Sequence, residues 1–331
     1  MNLDKTLLLS IFFVASLCLS FLLTGITIKI ANQIGFVNKP NKIVMNHKKS
    51  VAYGGGIAIA IALSVAIIVA HLSGFGGLSF VLGIYPVIIL GIIDDTYGLP
   101  PSYKFYLQCL SIIPFLFFYD VNFIIKVFAG LFILYSMNSW NLIDVMDGLT
   151  GWVSVFAFSG IAIITFLVLP GSISITLVSL ALVGVVMGFL FWNKYPAKIF
   201  LGDTGSLLLG TLFSMLVLEI YRVAPKIIVV VLIFGSVPYF ELIFLIIERT
   251  KKKIPFFRGS PDHFALRMLQ NGFSVKQIIT KVKIYLFAQV LVAMLLLNLN
   301  FYFCFISTIT IISFTSILAF NYFHSLPVSK V

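Results

Sequence analysis

Two adjacent carboxylates, Asp94 and Asp95, stand where the apolar run Phe80 to Ile93 gives way to Gly98-Leu99-Pro100-Pro101, with Lys104 close behind. Further along, Asn138, Asn141, Asp144 and Asp147 recur at every third position. In a helical or 3₁₀ turn that spacing sets amide and carboxylate oxygens along one side. Asp203 follows in the run Phe200-Leu201-Gly202-Asp203-Thr204-Gly205-Ser206. Only 11 of 331 residues are Asp or Glu, so five acids in three short stretches need a reason. Clustered hard oxygen ligands favour Mg²⁺, which takes one or two carboxylates and keeps water and substrate phosphates as its other ligands. No His/Cys set suited to Zn²⁺ is present. Carboxylates alone repel phosphate, so a bridging metal and nearby Lys, Arg and His are required. Together these residues fit phosphoryl transfer involving a lipid.

Each stretch also has a plainer reading. Asp94 and Asp95 could cap or solvate a helix end, and the Asn/Asp stripe could be a polar seam between helices. Asp203 could cap the next helix, although the same geometry offers N–H groups and a positive dipole end to a phosphate. Gly54-Gly55-Gly56 permits close approach to a helix or to a phosphate; on the residues alone, helix packing is preferred. His47 reads as an ordinary loop histidine. Glu241, near Pro238, is an intramembrane acid, and the longest polar loop, Arg249 to Lys283, is where specificity would sit. A merely solvated basic loop is the alternative there.

The elements that must position these residues are membrane helices. The chain is 60% hydrophobic and 10% charged, against about 25% charged in soluble domains. It reads as an all-α, polytopic integral membrane protein, a single domain over residues 1–331 with a large cytoplasmic loop at about 248–283. Eleven apolar windows approach spanning length: 7–30, 54–72, 78–93, 105–119, 122–140, 150–170, 173–192, 201–220, 226–247, 281–299 and 301–322. The count becomes ten if the tail from Ile284 to Phe320 holds one helix fewer. A β-barrel would show short alternating segments instead. The first run is too long for a signal-peptide core and lacks a small-x-small cleavage site, so it reads as the first span.

With the amino terminus outside, all but four of the 22 Lys and Arg (Lys5, Lys126, Arg222 and Lys226) fall on the inside. That asymmetry orients the chain and places Asp94, Asp95, Asp144, Asp147 and Asp203 at helix ends on the cytoplasmic side. The net charge of +11 is therefore topological and set beside anionic headgroups, with nothing that points to nucleic acid. Cys18, Cys109 and Cys304 lie in apolar runs and read as packing residues.

From about Asn38 to Arg267 the sequence resembles the polyprenyl-phosphate N-acetylhexosamine-1-phosphate transferases. The resemblance rests on Asp-Asp-x-x-Gly-Leu-Pro-Pro-x-x-Lys-Phe at 94–105, Asn-x-x-Asn-x-x-Asp-x-x-Asp-Gly-Leu at 138–149 and Phe-Leu-Gly-Asp-Thr-Gly-Ser at 200–206, in the family's order. It implies transfer of a sugar-1-phosphate from a UDP-sugar, expected to be a UDP-N-acetylhexosamine, to undecaprenyl or another polyprenyl phosphate. UMP is released at the cytoplasmic face of the cell membrane, and Mg²⁺ is the cofactor, with Mn²⁺ as a substitute. Carried over by position, Asp203 is a direct metal ligand with Asn141 beside it. Asp94 and Asp95 orient the metal and the lipid phosphate, Asp94 being preferred to take a proton from that phosphate. Asn141 and Asp144 line the diphosphate site, and Asn138 is a further substrate contact. Phe200 and Asp147 form the uracil pocket, while Lys48, Lys104, His263 and Arg267 are candidates for phosphate and sugar contacts. Relatives commonly pair, so a homodimer is implied.

Two departures stand out. The family's histidine-rich motif is reduced here to Ser260-Pro261-Asp262-His263, and Ser50-Val51-Ala52-Tyr53 precedes the glycines where a Pro and a small polar residue are common. Val145 also replaces a frequent Gly. The missing histidines argue against phospho-MurNAc-pentapeptide translocase and for an unusual donor sugar. Among competitors, a CDP-alcohol phosphatidyltransferase lacks its Asp-Gly-x-x-Ala-Arg start, since Leu149 follows Gly148. A cation- or proton-coupled secondary transporter would place such acids near the bilayer midplane, with internal repeats. A scaffold would leave the acids unexplained.

Overall fold

A computed structural model describes residues 2–38, 50–75, 78–255 and 257–328. Lys48 and His47 lie outside the described residues. Most of the described residues are helical: α1 (Asn2–Ile34), α2 (Gly55–Leu72), α3 (Leu78–Tyr97), α4 (Pro101–Ser111), α5 (Ile113–Phe118), α6 (Phe123–Leu142) and α7 (Leu149–Val168). These are followed by α8 (Ile173–Asn193), α9 (Gly202–Val223), α10 (Ile228–Leu232), α11 (Ser236–Lys251), α12 (Phe264–Gln270), α13 (Val275–Leu296) and α14 (Phe301–Ser325). The described residues also include a short antiparallel ribbon, β1 (Val37–Asn38) with β2 (Val51–Ala52), Val37 opposite Ala52.

Among the described residues, nine helices are long and apolar enough to cross a membrane, counting Pro225–Lys251 as one. The chain is thus a polytopic membrane protein, as composition indicated. The third and fourth expected windows are not among the nine. The fourth breaks into α4 and α5 because Pro114 has no N–H for the Leu110 carbonyl and disfavours helical backbone at the residue before it. The third window still runs along α9, and the fourth reaches it at its two ends. Asp95 of α3 meets Asp203 at one end of α9, and Gly83 of α3 faces Met215 three turns on. Lys104 of α4 meets Asp203, and the Tyr119 hydroxyl, just past α5, donates to the Leu218 carbonyl at 2.8 Å.

α9 is the axis of the bundle. Its most apolar window is 78% buried against 11% for α14, so α9 is core and α14 is rim. Leu207, Leu208, Leu209, Leu212, Phe213, Met215, Leu216 and Val217 are all fully buried, as expected of a helix apolar on every side. α2, α3 and α6 pack on it. The glycine run does serve packing: a Cβ on Gly56 would overlap Gly205 N and Thr204 C at the start of α9. The Gly55 and Gly56 amides donate to Phe200 and Leu201 carbonyls at 3.1 and 2.9 Å. Gly56→Val would force α2 off α9. We expect a loss of at least about 1–3 kcal/mol, the usual cost of overpacking, read as a lower unfolding temperature in detergent. An unchanged midpoint would refute the contact.

Candidate active site

Four elements converge at one end of α9. Pro101 at the first position of α4 and the extended Pro100 before it turn the chain back on α3, so Lys104 faces Asp94. The Lys104 Nζ lies 2.7 Å from Asp94 Oδ2 and 3.1 Å from Asp203 Oδ2, and donates to Asn141 Oδ1 at 3.5 Å. Asn141, at the end of α6, donates through Nδ2 to Asp203 Oδ1 and to Ser206 Oγ, the latter at 3.0 Å. Asp94 Oδ1 accepts the Leu99 amide at 2.8 Å. Asp94 is buried, whereas Lys104, Asn141 and Asp203 are half-buried, so the cluster borders a surface that a substrate can reach.

Asp95 is used differently from its neighbour. Its carboxylate accepts the Asp203 amide at 2.7 Å, the Thr204 amide at 3.1 Å and the Thr204 hydroxyl at 2.6 Å. It therefore satisfies orphan N–H groups at the start of α9 and lies on the positive end of that helix dipole. Gly202, at φ +72°, begins the helix because a Cβ there would meet Asp95 Oδ2 at 2.6 Å. Asp95→Ala should cost about 1–2 kcal/mol as a lost cap. It should also lower activity by releasing Asp203; a thermal midpoint and a turnover rate that both stay at the wild-type value would contradict this role.

The turn between α6 and α7 carries Asp144 and Asp147. Asp144 is half-buried and accepts the Thr150 hydroxyl at 2.9 Å. Burial, and after the opposing Thr150 bond the charges of Asp203, Asp95 and Asp147, push its carboxyl from 3.8 up to about 7. A carboxyl raised in the folded state destabilises the fold once ionised. That penalty is absent below pH 3.8, grows as pH rises toward 7 and is complete above it. Asp144→Asn should therefore raise the unfolding temperature at pH 8 and leave it unchanged near pH 3.5. An equal shift at both pH values would exclude the charge as its cause. Asp147 is buried and accepts the Ala197 amide at 2.9 Å, while Asn193 accepts the Gly148 amide at 3.0 Å and donates to the Ile199 carbonyl at 2.9 Å. These bonds tie the turn to the loop leading into Phe200. Phe200 is half-buried and edge-on to Tyr53 at 5.9 Å. Burial first, then the charges of Asp95, Asp203 and Asp144, push the Tyr53 phenol above its ordinary value, so Tyr53 looks onto the same acids.

Three expected contacts lie elsewhere. Asn138 donates to Gln108 Oε1 at 3.0 Å and accepts from Gln108 Nε2 at 3.3 Å, a reciprocal pair between α6 and α4. His263 is buried, its Nδ1 2.8 Å from Glu241 Oε1. Arg267 is fully committed: Nη2 to Glu248 Oε2 at 2.5 Å and Asp262 Oδ1 at 3.0 Å, Nε to the Asp262 carbonyl, Nη1 to the Phe323 carbonyl, and its plane over Phe244. The α12 segment nevertheless packs beneath the Asp144 turn, since Phe264 shares a core with Ile143 and Leu149. Sequence reasoning passed over Gln108, Asn193, Tyr53, Thr204 and Ser206. Thr204 and Ser206 stood inside a quoted motif; neither the pairing of Gln108 with Asn138 nor the bonds of Asn193 to Gly148 and Ile199 had a local signal.

Among the described residues no three His, Cys, Asp or Glu side chains form a metal site by themselves. Two carboxylate oxygens and one amide oxygen do converge on a cation, the Lys104 ammonium. Such a set, short of a full cage, suits Mg²⁺, which keeps waters and phosphates in its shell. The residues fit that ion.

The profile of Glycosyl transferase family 4 matches residues 77–221, which span the whole cluster from α3 to α9. A probable undecaprenyl-phosphate N-acetylglucosaminyl 1-phosphate transferase of Bacillus subtilis is 32% identical over 289 residues, 82% of this chain and 80% of that protein. Phospho-N-acetylmuramoyl-pentapeptide-transferases are also similar. That of Oceanobacillus iheyensis is 32% identical over 49% of this chain and 48% of its own length; that of Streptococcus pneumoniae Hungary19A-6 is 29% identical over 63% and 71%. The chain belongs to Glycosyl transferase family 4, the membrane phosphosugar transferases that these relatives represent.

Proposed function

We propose that this protein transfers a sugar-1-phosphate, from a UDP-N-acetylhexosamine, to undecaprenyl or another polyprenyl phosphate, forming polyprenyl-diphosphate-sugar and UMP. The observation that carries the reading is the bonded cluster of Asp94, Lys104, Asn141 and Asp203, drawn from four elements inside the segment that matches the family. The positive-inside distribution supports a cytoplasmic-face site, and the bacterial relatives support a cytoplasmic membrane. It is the first membrane step of a surface-glycan pathway in this reading, and a homodimer is the expected assembly.

An oxygen of the acceptor phosphate attacks the sugar-bearing phosphorus; the bond from that phosphorus to the bridging oxygen breaks, and the oxygen leaves with UMP. Asp203 and Asn141 would hold Mg²⁺, or Mn²⁺ in its place, which when bound supplies charge neutralisation for the diphosphate. Asp94 is the group placed to accept the acceptor's proton. That phosphate has a second pKa near 6 by analogy with phosphorylated side chains, so no strong base is required. Asp95 holds α9 and thereby Asp203. Phe200 and Asp147 border the nucleoside end, beside Tyr53. A transporter is the weaker reading, because the clustered acids sit at helix ends and the intramembrane Glu241 has a fixed partner in His263.

Purified protein given undecaprenyl phosphate, Mg²⁺ and a panel of UDP-N-acetylhexosamines is expected to release UMP with one donor, only when lipid is present. Folded protein that releases none with any donor would overturn the reading.

A further inference from the structure

We propose that Lys104 is a tethered cation that exchanges with the divalent ion at Asp94, Asp203 and Asn141, so that metal entry and displacement of this ammonium are one event. The inference rests on the metal-dependent transferase reading. Its basis is that the Lys104 Nζ engages Asp94 Oδ2 at 2.7 Å, Asp203 Oδ2 at 3.1 Å and Asn141 Oδ1 at 3.5 Å, which are the oxygens best suited to a hard cation. A divalent ion on Asp203 and an ammonium 3.1 Å from the same carboxylate would stand as like charges almost in contact, in a half-buried site where screening is weak.

The charges favour exchange over sharing. With both carboxyls ionised, one ammonium leaves one negative charge uncompensated and one divalent ion leaves none. The lysine is suited to the part, since its ammonium is a compact point charge on a flexible four-carbon stem. Its seat is also built. One turn along α4, Gln108 makes the reciprocal amide pair with Asn138, one turn back from Asn141 on α6. These two rungs, Gln108–Asn138 and Lys104–Asn141, fix the register of α4 on α6 and deliver the stem to the cluster. Once displaced, the ammonium remains within a side chain's length of the cluster, where an anionic diphosphate needs a positive partner.

The test uses full-length protein in detergent, with Mn²⁺ alone as the probe and free Mn²⁺ read by its paramagnetic resonance signal. Lys104→Met keeps the stem and removes the charge, and is expected to lower the half-saturating Mn²⁺ concentration about tenfold or more. Lys104→Arg keeps the charge and should stay within about threefold of wild type. In parallel, amine-reactive labelling of Lys104 in the wild-type protein, followed by mass spectrometry, should rise as Mn²⁺ is added. This second readout needs no variant to fold. Asp203→Asn locates the binding: its loss of Mn²⁺ affinity ties the signal to this cluster. If Asp203→Asn binds Mn²⁺ like wild type, the metal assignment falls and the exchange falls with it. If binding depends on Asp203 but Lys104→Met does not tighten it, or if labelling does not rise, the exchange alone is overturned and the transferase reading stands.

Discussion

Asp203→Asn is expected to cut turnover by about 10²–10³-fold while the protein remains folded. The substitution preserves the shape of a side chain that receives a hydrogen bond from Asn141 and an ion pair from Lys104, and removes the negative charge that both address. α9 keeps its cap, because the Asp95 bonds go to the backbone of residues 203 and 204 and to the Thr204 hydroxyl, not to the Asp203 side chain. The loss should therefore appear in kcat and in metal dependence, with the unfolding temperature within a few degrees of wild type. Full activity in Asp203→Asn would remove this carboxylate from the chemistry.

Arg267→Met should have the largest effect on stability, about 3–5 kcal/mol. The guanidinium lies among Glu248 and Asp262, both buried, and its removal strands two carboxylates that Lys252 and His324 only partly serve. It also loses the bond to the Phe323 carbonyl, which fastens the end of α14 to α12. Burial alone would raise the Asp262 carboxyl, but Lys252, Ser260 and Arg267 outweigh it and hold it below its ordinary value of 3.8. A depressed carboxyl contributes stability above the unfolded-state value, and loses it as pH falls through the folded-state value. The wild type should thus lose this increment only below pH 3.8, whereas Arg267→Met should lack Arg267's share of it at neutral pH too, the Lys252 and Ser260 shares remaining. Proteolysis within residues 252–262, followed with pH, would measure the difference; equal resistance in both proteins would show that Arg267 does not organise the loop.

These two cases show what could be read from the chain. Asp94 and Asp203 were legible because an acid at the end of an apolar run is costly and needs a partner, and Asn141 because it shares a three-residue spacing with Asp144 and Asp147. The bundle was legible from composition. Asp95 was not distinguishable from Asp94, since a capping acid and a site acid look alike until the donors are known. Asn138 has the same period as Asn141, yet its partner is Gln108 in another helix, and no local pattern announces that pairing. Arg267 looked available for phosphate because the three groups that consume it, Glu248, Asp262 and the Phe323 carbonyl, are brought together only by the fold. The fourth span broke at Pro114, where apolarity continues but helical hydrogen bonding does not.

The central claim concerns which bond breaks. Phosphorus-32 placed on the sugar-bearing phosphate of the donor, with undecaprenyl phosphate and Mg²⁺, follows it directly. The account predicts that the label moves into the organic phase as lipid diphosphate-sugar, in step with unlabelled UMP in water. Label that stays in water as UDP, with the sugar alone on the lipid or free, would contradict it.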